Sequence, residues 1–283
     1  MTRPGTPPSD LVVIGILEAL GRARVALGCI VLLRTTPLLA PLHIPLLRDA
    51  YPLLAWPNGQ MHLVPFIPAL PDDARAVLCI VRTIAVLAFM AGLWARPAGL
   101  LAGALGYITV LQDPAHFYAT FHVLFLGTIV LACTDAVGNC AVRPRAPQSP
   151  TSSAWLVRAW VASIYTWAAI SKLRPDWLDG RTLGLFIRGA MLRPFVVRHF
   201  LATEGQRSFV ACAVVVLEFA LAPLLLYQPT RRAGLVLALA MHAALEFGAA
   251  PDVFGWAMVA LLLSFWTPSS PRSLRARQIA HPS

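Results

Sequence analysis

Residues 208–227 read SFVACAVVVLEFALAPLLLY, and a single position among them, Glu218, carries a formal charge at neutral pH. A helix of about 20 apolar residues crosses the ~30 Å hydrocarbon layer of a bilayer, so this stretch reads as a transmembrane helix. The same reading marks 22–40, 74–95, 97–111, 118–137, 154–173, 232–249 and 252–267, about eight spans in all. The 283-residue chain is 58% hydrophobic and 13% charged, whereas a soluble domain carries about 25% charged residues. Its mean hydropathy is +0.68. The expected fold class is therefore all-α, a polytopic transmembrane helix bundle.

The spans organise the rest of the chain. Residues 1–21 read as an N-terminal tail with an interfacial helix at 10–20, residues 22–267 as the transmembrane domain, and 268–283 as a polar, basic tail. No small-residue cleavage site follows 11–20, so that element is expected to be retained. The Pro-rich 41–72 reads as a structured loop and 141–153 as a flexible polar linker. Residues 181–203 mix Arg181, Arg188, Arg193 and Arg198 with Leu, Phe and Val. They read as an interfacial amphipathic segment, with a re-entrant hairpin as the alternative.

The net charge of +10 comes from arginines scattered through short loops and helix ends. That pattern fits membrane orientation and lipid contact, not nucleic acid. A cytoplasmic N-terminus puts Arg96, Arg143, Arg145, Arg231, Arg232 and Arg272 inside, and leaves the outer loops 112–117 and 249–251 without Lys or Arg. The arginine-rich 174–207 loop runs against this rule. The expected location is a bacterial inner membrane, multi-pass, with both termini cytoplasmic. The five cysteines show no CxxC spacing, so neither a disulfide framework nor a metal centre is expected.

Ionisable groups at membrane depth cost several kcal/mol unless satisfied. Here they are Arg34, Arg82, His122, Lys172, Glu218, His242 and Glu246. Lys172 is the one lysine in a chain whose Lys and Arg total 23. One reading is a snorkelling side chain that lifts its amine to the interface near Pro175. The other is chemical: arginine does not give up its proton in a protein, whereas a desolvated lysine does and becomes a base. Tyr165 lies two turns earlier on the same helix face. His242 and Glu246 share a face at i, i+4, as a satisfied pair or as a carboxylate-oriented imidazole. Glu218 has no local partner and is expected to pair with an arginine or histidine on another helix, Arg82 or Arg34 in the plainest case, or to be protonated. His116 and His122 flank the start of the fourth span. Trp177 is placed to anchor the turn after the lysine helix. P-loop, GxSxG, HExxH and dinucleotide fingerprints are absent.

The stretch YTWAAISKLRPDWLDG, 165–180, resembles the core motif of the vitamin K-dependent γ-carboxylase family, part of the wider horizontally transferred transmembrane (HTTM) group. An aromatic-rich helix leads to a Lys-Leu pair and a Trp-Leu-x-Gly turn, matched by Lys172, Leu173, Trp177 and Gly180. LGCIVLLRTTPLL, FHVLFLGTIVLACTDAVG, VVVLEFALAPLLL and MHAALEFGAAPDVFGWAMVALLLSF resemble the family's other helices in order. The resemblance implies a vitamin K- or menaquinone-type hydroquinone as cofactor, with O2 and CO2. It implies Lys172 as the catalytic base and His122 as the histidine assisting the later step, with His116 as second choice. The cavity it implies is lined by Tyr165, Trp177, His116, Glu218, His242 and Glu246, and the expected partners are membrane lipids and a quinone-like ligand. A non-enzymatic lipid- or small-molecule-binding protein or permease on the same fold is the alternative, and an accessory subunit of a quinone-dependent complex is a third reading.

Overall fold

The computed structural model describes residues 8–35, 70–111, 119–135, 141–142, 150–189, 191–249 and 253–266. Among these the chain is all-α. It forms α1 (Pro8–Thr35), α2 (Asp72–Ala91), α3 (Ala95–Leu111), α4 (Ala119–Ala132), α5 (Pro150–Ser171), α6 (Pro175–Leu178), α7 (Arg181–Arg188), α8 (Pro194–Phe200), α9 (Glu204–Leu226), α10 (Arg231–Gly248) and α11 (Val253–Leu262). A 3-10 turn, Leu263–Phe265, follows α11. The chain divides into two compact units, Met1–Val157 with Ala260–Ser283, and Arg158–Val259.

In the first unit, α1 is one continuous helix where a break near residue 21 was expected. The polar run GRAR does not interrupt it. Glu18 accepts a hydrogen bond from Arg22 at i, i+4, and the buried Arg24 turns inward to donate to the Met90 carbonyl at 3.3 Å. That carbonyl lies in the last turn of α2, where helix carbonyls lack intrahelical partners. Arg82, also buried, donates to Thr109 Oγ1 at 3.0 Å and ties α2 to α3. α3 and α4 approach closely because α3 presents glycines. A Cβ on Gly103 would lie 2.9 Å from the Phe125 carbonyl oxygen, and one on Gly106 would run into the Phe125 ring. Small residues that let helix backbones meet are the usual device of helix packing in lipid.

Two of the described helices are long and apolar enough to cross a membrane, Asp73–Ala91 and Glu204–Leu226. The expectation of about eight spans is thus met in part. α4 has 14 residues and α11 has 10, about 21 and 15 Å at 1.5 Å per residue, and both are shorter than the apolar windows that marked them. Val77, Ile80, Ile84 and Leu87 repeat at helical spacing along α2 and are all exposed. Such a contiguous apolar face suits hydrocarbon and is unusual in water.

The second unit holds the lysine turn. α5 ends at Ser171 because Pro175 follows, and the residue before a proline is driven to extended backbone. Arg174 is extended, with φ −117° and ψ 147°. The one-turn α6 then leads to Gly180, whose φ of +78° lies in the left-handed region. A Cβ there would meet Arg207 Cβ at 2.6 Å, so glycine is required both by backbone angle and by space. α7 buries Leu183 against Leu201 and Ala211, with Trp177, Phe186 and Val196 around them. α9 starts with a reciprocal capping box, Thr203 with Gln206. The expected interfacial segment is thus two short helices, docked on α9 by one face. Just before α8, the chain end of α10 is held by a backbone bond from Arg193 N–H to the Gly248 carbonyl at 2.9 Å.

Candidate functional site

The turn helix α6, which follows α5, is pinned to α9. The Trp177 indole N–H donates to the Ala211 carbonyl at 3.2 Å, and Ser208 Oγ donates to the Leu178 carbonyl at 2.6 Å. Ala211, Val215 and Glu218 are buried at i, i+4 and i+7 of α9. The same face that carries the anchor therefore carries the carboxylate, two turns deeper.

Lys172 meets it there. A lysine at a helix C-terminus leaves its Cα pointing back along the helix, and this one runs back far enough for Nζ to donate to the Ala168 carbonyl at 3.1 Å. Nζ also lies 2.8 Å from both Oε1 and Oε2 of Glu218. The Trp177 ring covers the ammonium from 5.5 Å, within cation–π range. Side-chain exposure is 21% for Lys172 and 10% for Glu218. The snorkelling reading is thereby corrected: the amine points into the unit, drawn by the buried carboxylate. The partner of Glu218 is likewise Lys172 instead of an arginine.

Two turns before Lys172, the buried Tyr165 hydroxyl shares a hydrogen bond with His242 Nε2 at 2.9 Å. Tyr165 and Lys172 lie seven residues apart, two turns along one helix face, so the two polar pairs are carried by the same side of α5. His242 is 1% exposed, packs against the Phe254 ring at 5.9 Å, and leaves its buried Nδ1 without a hydrogen-bond partner. The hydrogen bond that the i, i+4 spacing allows between His242 and Glu246 is therefore not made. Glu246 turns to α11 instead, where a Cβ on Gly255 would sit 2.6 Å from its Oε1.

The structure thus brings together Lys172, Glu218, Tyr165, His242 and Trp177, all within the second unit. Trp177 spends its N–H on Ala211 and its ring on Phe186 and the ammonium, so it acts as an anchor and a lid over the lysine. His122 belongs to the first unit, on α4, where Nδ1 shares a hydrogen bond with the Tyr107 hydroxyl of α3. His116 lies outside the described residues, as does the side chain of Arg34. Tyr107 escaped the sequence reading. Its signal was a tyrosine inside an apolar helix, whose hydroxyl needs a partner once buried.

Residues 18–269 match the model of the HTTM domain family. The chain belongs to that family. The match takes in α2 through α11 entire and most of α1, so the HTTM transmembrane domain includes both the lysine turn and the glutamate helix. No curated protein and no solved structure matches this HTTM chain.

A buried Lys–Glu pair has a specific chemical capacity. In a low-dielectric setting the charged pair and the neutral amine–carboxylic acid pair are brought closer in energy, because desolvation penalises both charges at once. Moving the shared proton from Nζ to a Glu218 oxygen changes no net charge. It leaves a neutral amine, the form that accepts a proton, which an arginine in the same place would not yield.

Proposed function

We propose that this HTTM protein is a multi-pass membrane protein that binds a quinone-like lipid at membrane depth, and that Lys172 is the base acting on the ligand's hydroxyl. The observation that carries the reading is the Lys172–Glu218 pair, 2.8 Å to each carboxylate oxygen and mostly shielded from solvent. Glu218 takes the ammonium proton, the Lys172 amine is released neutral, and the amine then takes a proton from a weakly acidic hydroxyl brought against it. The lysine ends as ammonium and Glu218 holds the displaced proton.

The residues fit a lipophilic quinol. Lys172 is the more exposed member of its pair, so the ammonium is the reachable end, and the Trp177 ring beside it offers an aromatic plane. Trp177 and Lys172 would hold the ring and hydroxyl, with Tyr165 and His242 behind Glu218. Such a cofactor supplies a reducing hydroxyl-bearing ring able to react with O2, and in a carboxylase-like reaction CO2 is the group added.

The test is mass spectrometry of lipid extracted from detergent-purified protein, wild type beside Lys172→Ala. The reading expects a quinone retained near one per wild-type chain and depleted in the variant. Bulk phospholipid alone in both preparations overturns it and leaves the pair with a structural role in a permease or scaffold.

A further inference from the structure

The segment that joins the lysine turn to α9 has two faces. Its inner face, through Leu183 and Leu201, is committed to α9. Its outer face is not. On α7, Arg181, Leu185 and Arg188 recur at i, i+4 and i+7 and are all exposed; on α8, Phe195, Arg198 and His199 do the same at i, i+3 and i+4. Leu185, Met191, Phe195 and Phe200 each keep more than half of their surface accessible. Large apolar side chains alternate with cations along the whole element.

The cations are only partly neutralised. The stretch 174–207 holds six arginines and three acids, and each acid is already taken: Asp176 by Arg174, Asp179 by Arg181 and Glu204 by Arg207. Arg188, Arg193 and Arg198 have no carboxylate partner among the described residues, and Arg193 reaches only the Glu246 backbone carbonyl at 3.5 Å. Three uncompensated guanidinium groups sit among exposed aliphatic and aromatic side chains. In water the apolar members would be a liability, and in hydrocarbon the arginines would be. Both are satisfied at one depth, the headgroup layer, provided the headgroups are negative.

We propose that the outer face of α7 and α8, carrying Arg188, Arg193 and Arg198 beside Leu185, Phe195 and Phe200, is a binding surface for the phosphate of anionic phospholipids. Guanidinium groups take phosphate oxygens in a bidentate fork, and the flanking side chains enter the acyl boundary below it. This surface is separate from the Lys172–Glu218 pair and does not depend on any quinone. It also accounts for arginines on a loop that the positive-inside pattern would leave uncharged.

The test is native mass spectrometry of the full chain after reconstitution with phosphatidylglycerol or phosphatidylcholine of the same acyl composition. The expected result is more retained phosphatidylglycerol than phosphatidylcholine. The preference should fall about fivefold for each arginine removed, in Arg188→Gln, Arg198→Gln and their combination with Arg193→Gln. Arg198→Lys should keep a phosphatidylglycerol preference, because the charge remains, and it guards against a loss caused by misfolding. Equal retention of both lipids by wild type overturns the proposal and leaves the face for a protein partner. A preference that survives the triple substitution also overturns it, since the charge would then be read elsewhere.

Discussion

Glu218→Gln and Lys172→Met test whether the buried pair is a coupled unit. Glu218→Gln removes the countercharge and leaves the ammonium with neutral acceptors alone, the Ala168 carbonyl and the new amide oxygen. Lys172→Met leaves a carboxylate at 10% exposure facing a thioether. Removing one partner of a buried pair costs about 3–5 kcal/mol. The lower end applies here, about 3 kcal/mol each, because Lys172 keeps part of its side chain in contact with solvent. Lys172→Met/Glu218→Gln removes both charges and leaves one buried neutral amide without its partner, so its cost should be about 1–3 kcal/mol. The coupling energy is then several kcal/mol, well above the ~0.5 kcal/mol scatter within which independent sites add. Equilibrium unfolding of the four proteins in mixed micelles measures it. Single-variant losses that simply sum in the double variant would refute a coupled pair.

Other perturbations follow from the geometry. Tyr165→Phe leaves both nitrogens of the buried His242 without partners and should lower stability by about 1–3 kcal/mol in the same unfolding measurement. Gly180→Ala places a Cβ 2.6 Å from Arg207 Cβ at a φ of +78°; a loss of about 2 kcal/mol or more, with weaker lipid retention, is expected from the shifted turn. Gly103→Leu forces α3 off the Phe125 carbonyl and should show as faster proteolysis at the α3–α4 hairpin. The N–H and guanidinium of Arg181 hold the Asp179 carboxyl below the usual carboxylate range. A depressed carboxyl stabilises the fold above its unfolded value, and the contribution is lost as pH falls through the folded one. Asp179→Asn should therefore lower stability in the neutral region, leave it unchanged at the acid limit, and so flatten the acid side of the stability–pH curve.

Much of this architecture was legible in the sequence, and the exceptions have physical causes. The apolar windows located α2, α9 and α10 to within a few residues, because burial and lipid contact both impose helical apolar runs. The same windows ran past α4 and α11, where turn residues 133–135 and the 3-10 turn Leu263–Phe265 follow the α-helices, since hydropathy does not distinguish helical from turn residues. GRAR at 21–24 looked like a helix boundary, yet arginine is a good helix former and Arg24 finds a carbonyl acceptor 66 positions away. Lys172, Tyr165, Glu218 and His242 stood out as ionisable or polar groups in apolar runs. Their pairing did not, because periodicity along one helix says nothing about which neighbour faces it. The i, i+4 logic favoured His242 with Glu246, but the imidazole bonds Tyr165, 77 positions distant, through Nε2 and leaves Nδ1 without a partner.

The central claim is that Lys172 serves as a removable-proton site, and oxygen uptake with menadiol, a naphthohydroquinone without a lipid tail, tests it most directly. Removing a proton from the hydroquinone speeds its oxidation by O2 to the quinone, with O2 reduced to peroxide, so a working base shows as faster oxygen consumption at neutral pH. Wild-type protein in nanodiscs is expected to accelerate uptake over empty nanodiscs. Lys172→Arg keeps a cation opposite Glu218 but cannot release its proton, so its uptake should fall to the empty-nanodisc rate. Uptake by Lys172→Arg equal to that of wild type would contradict the account.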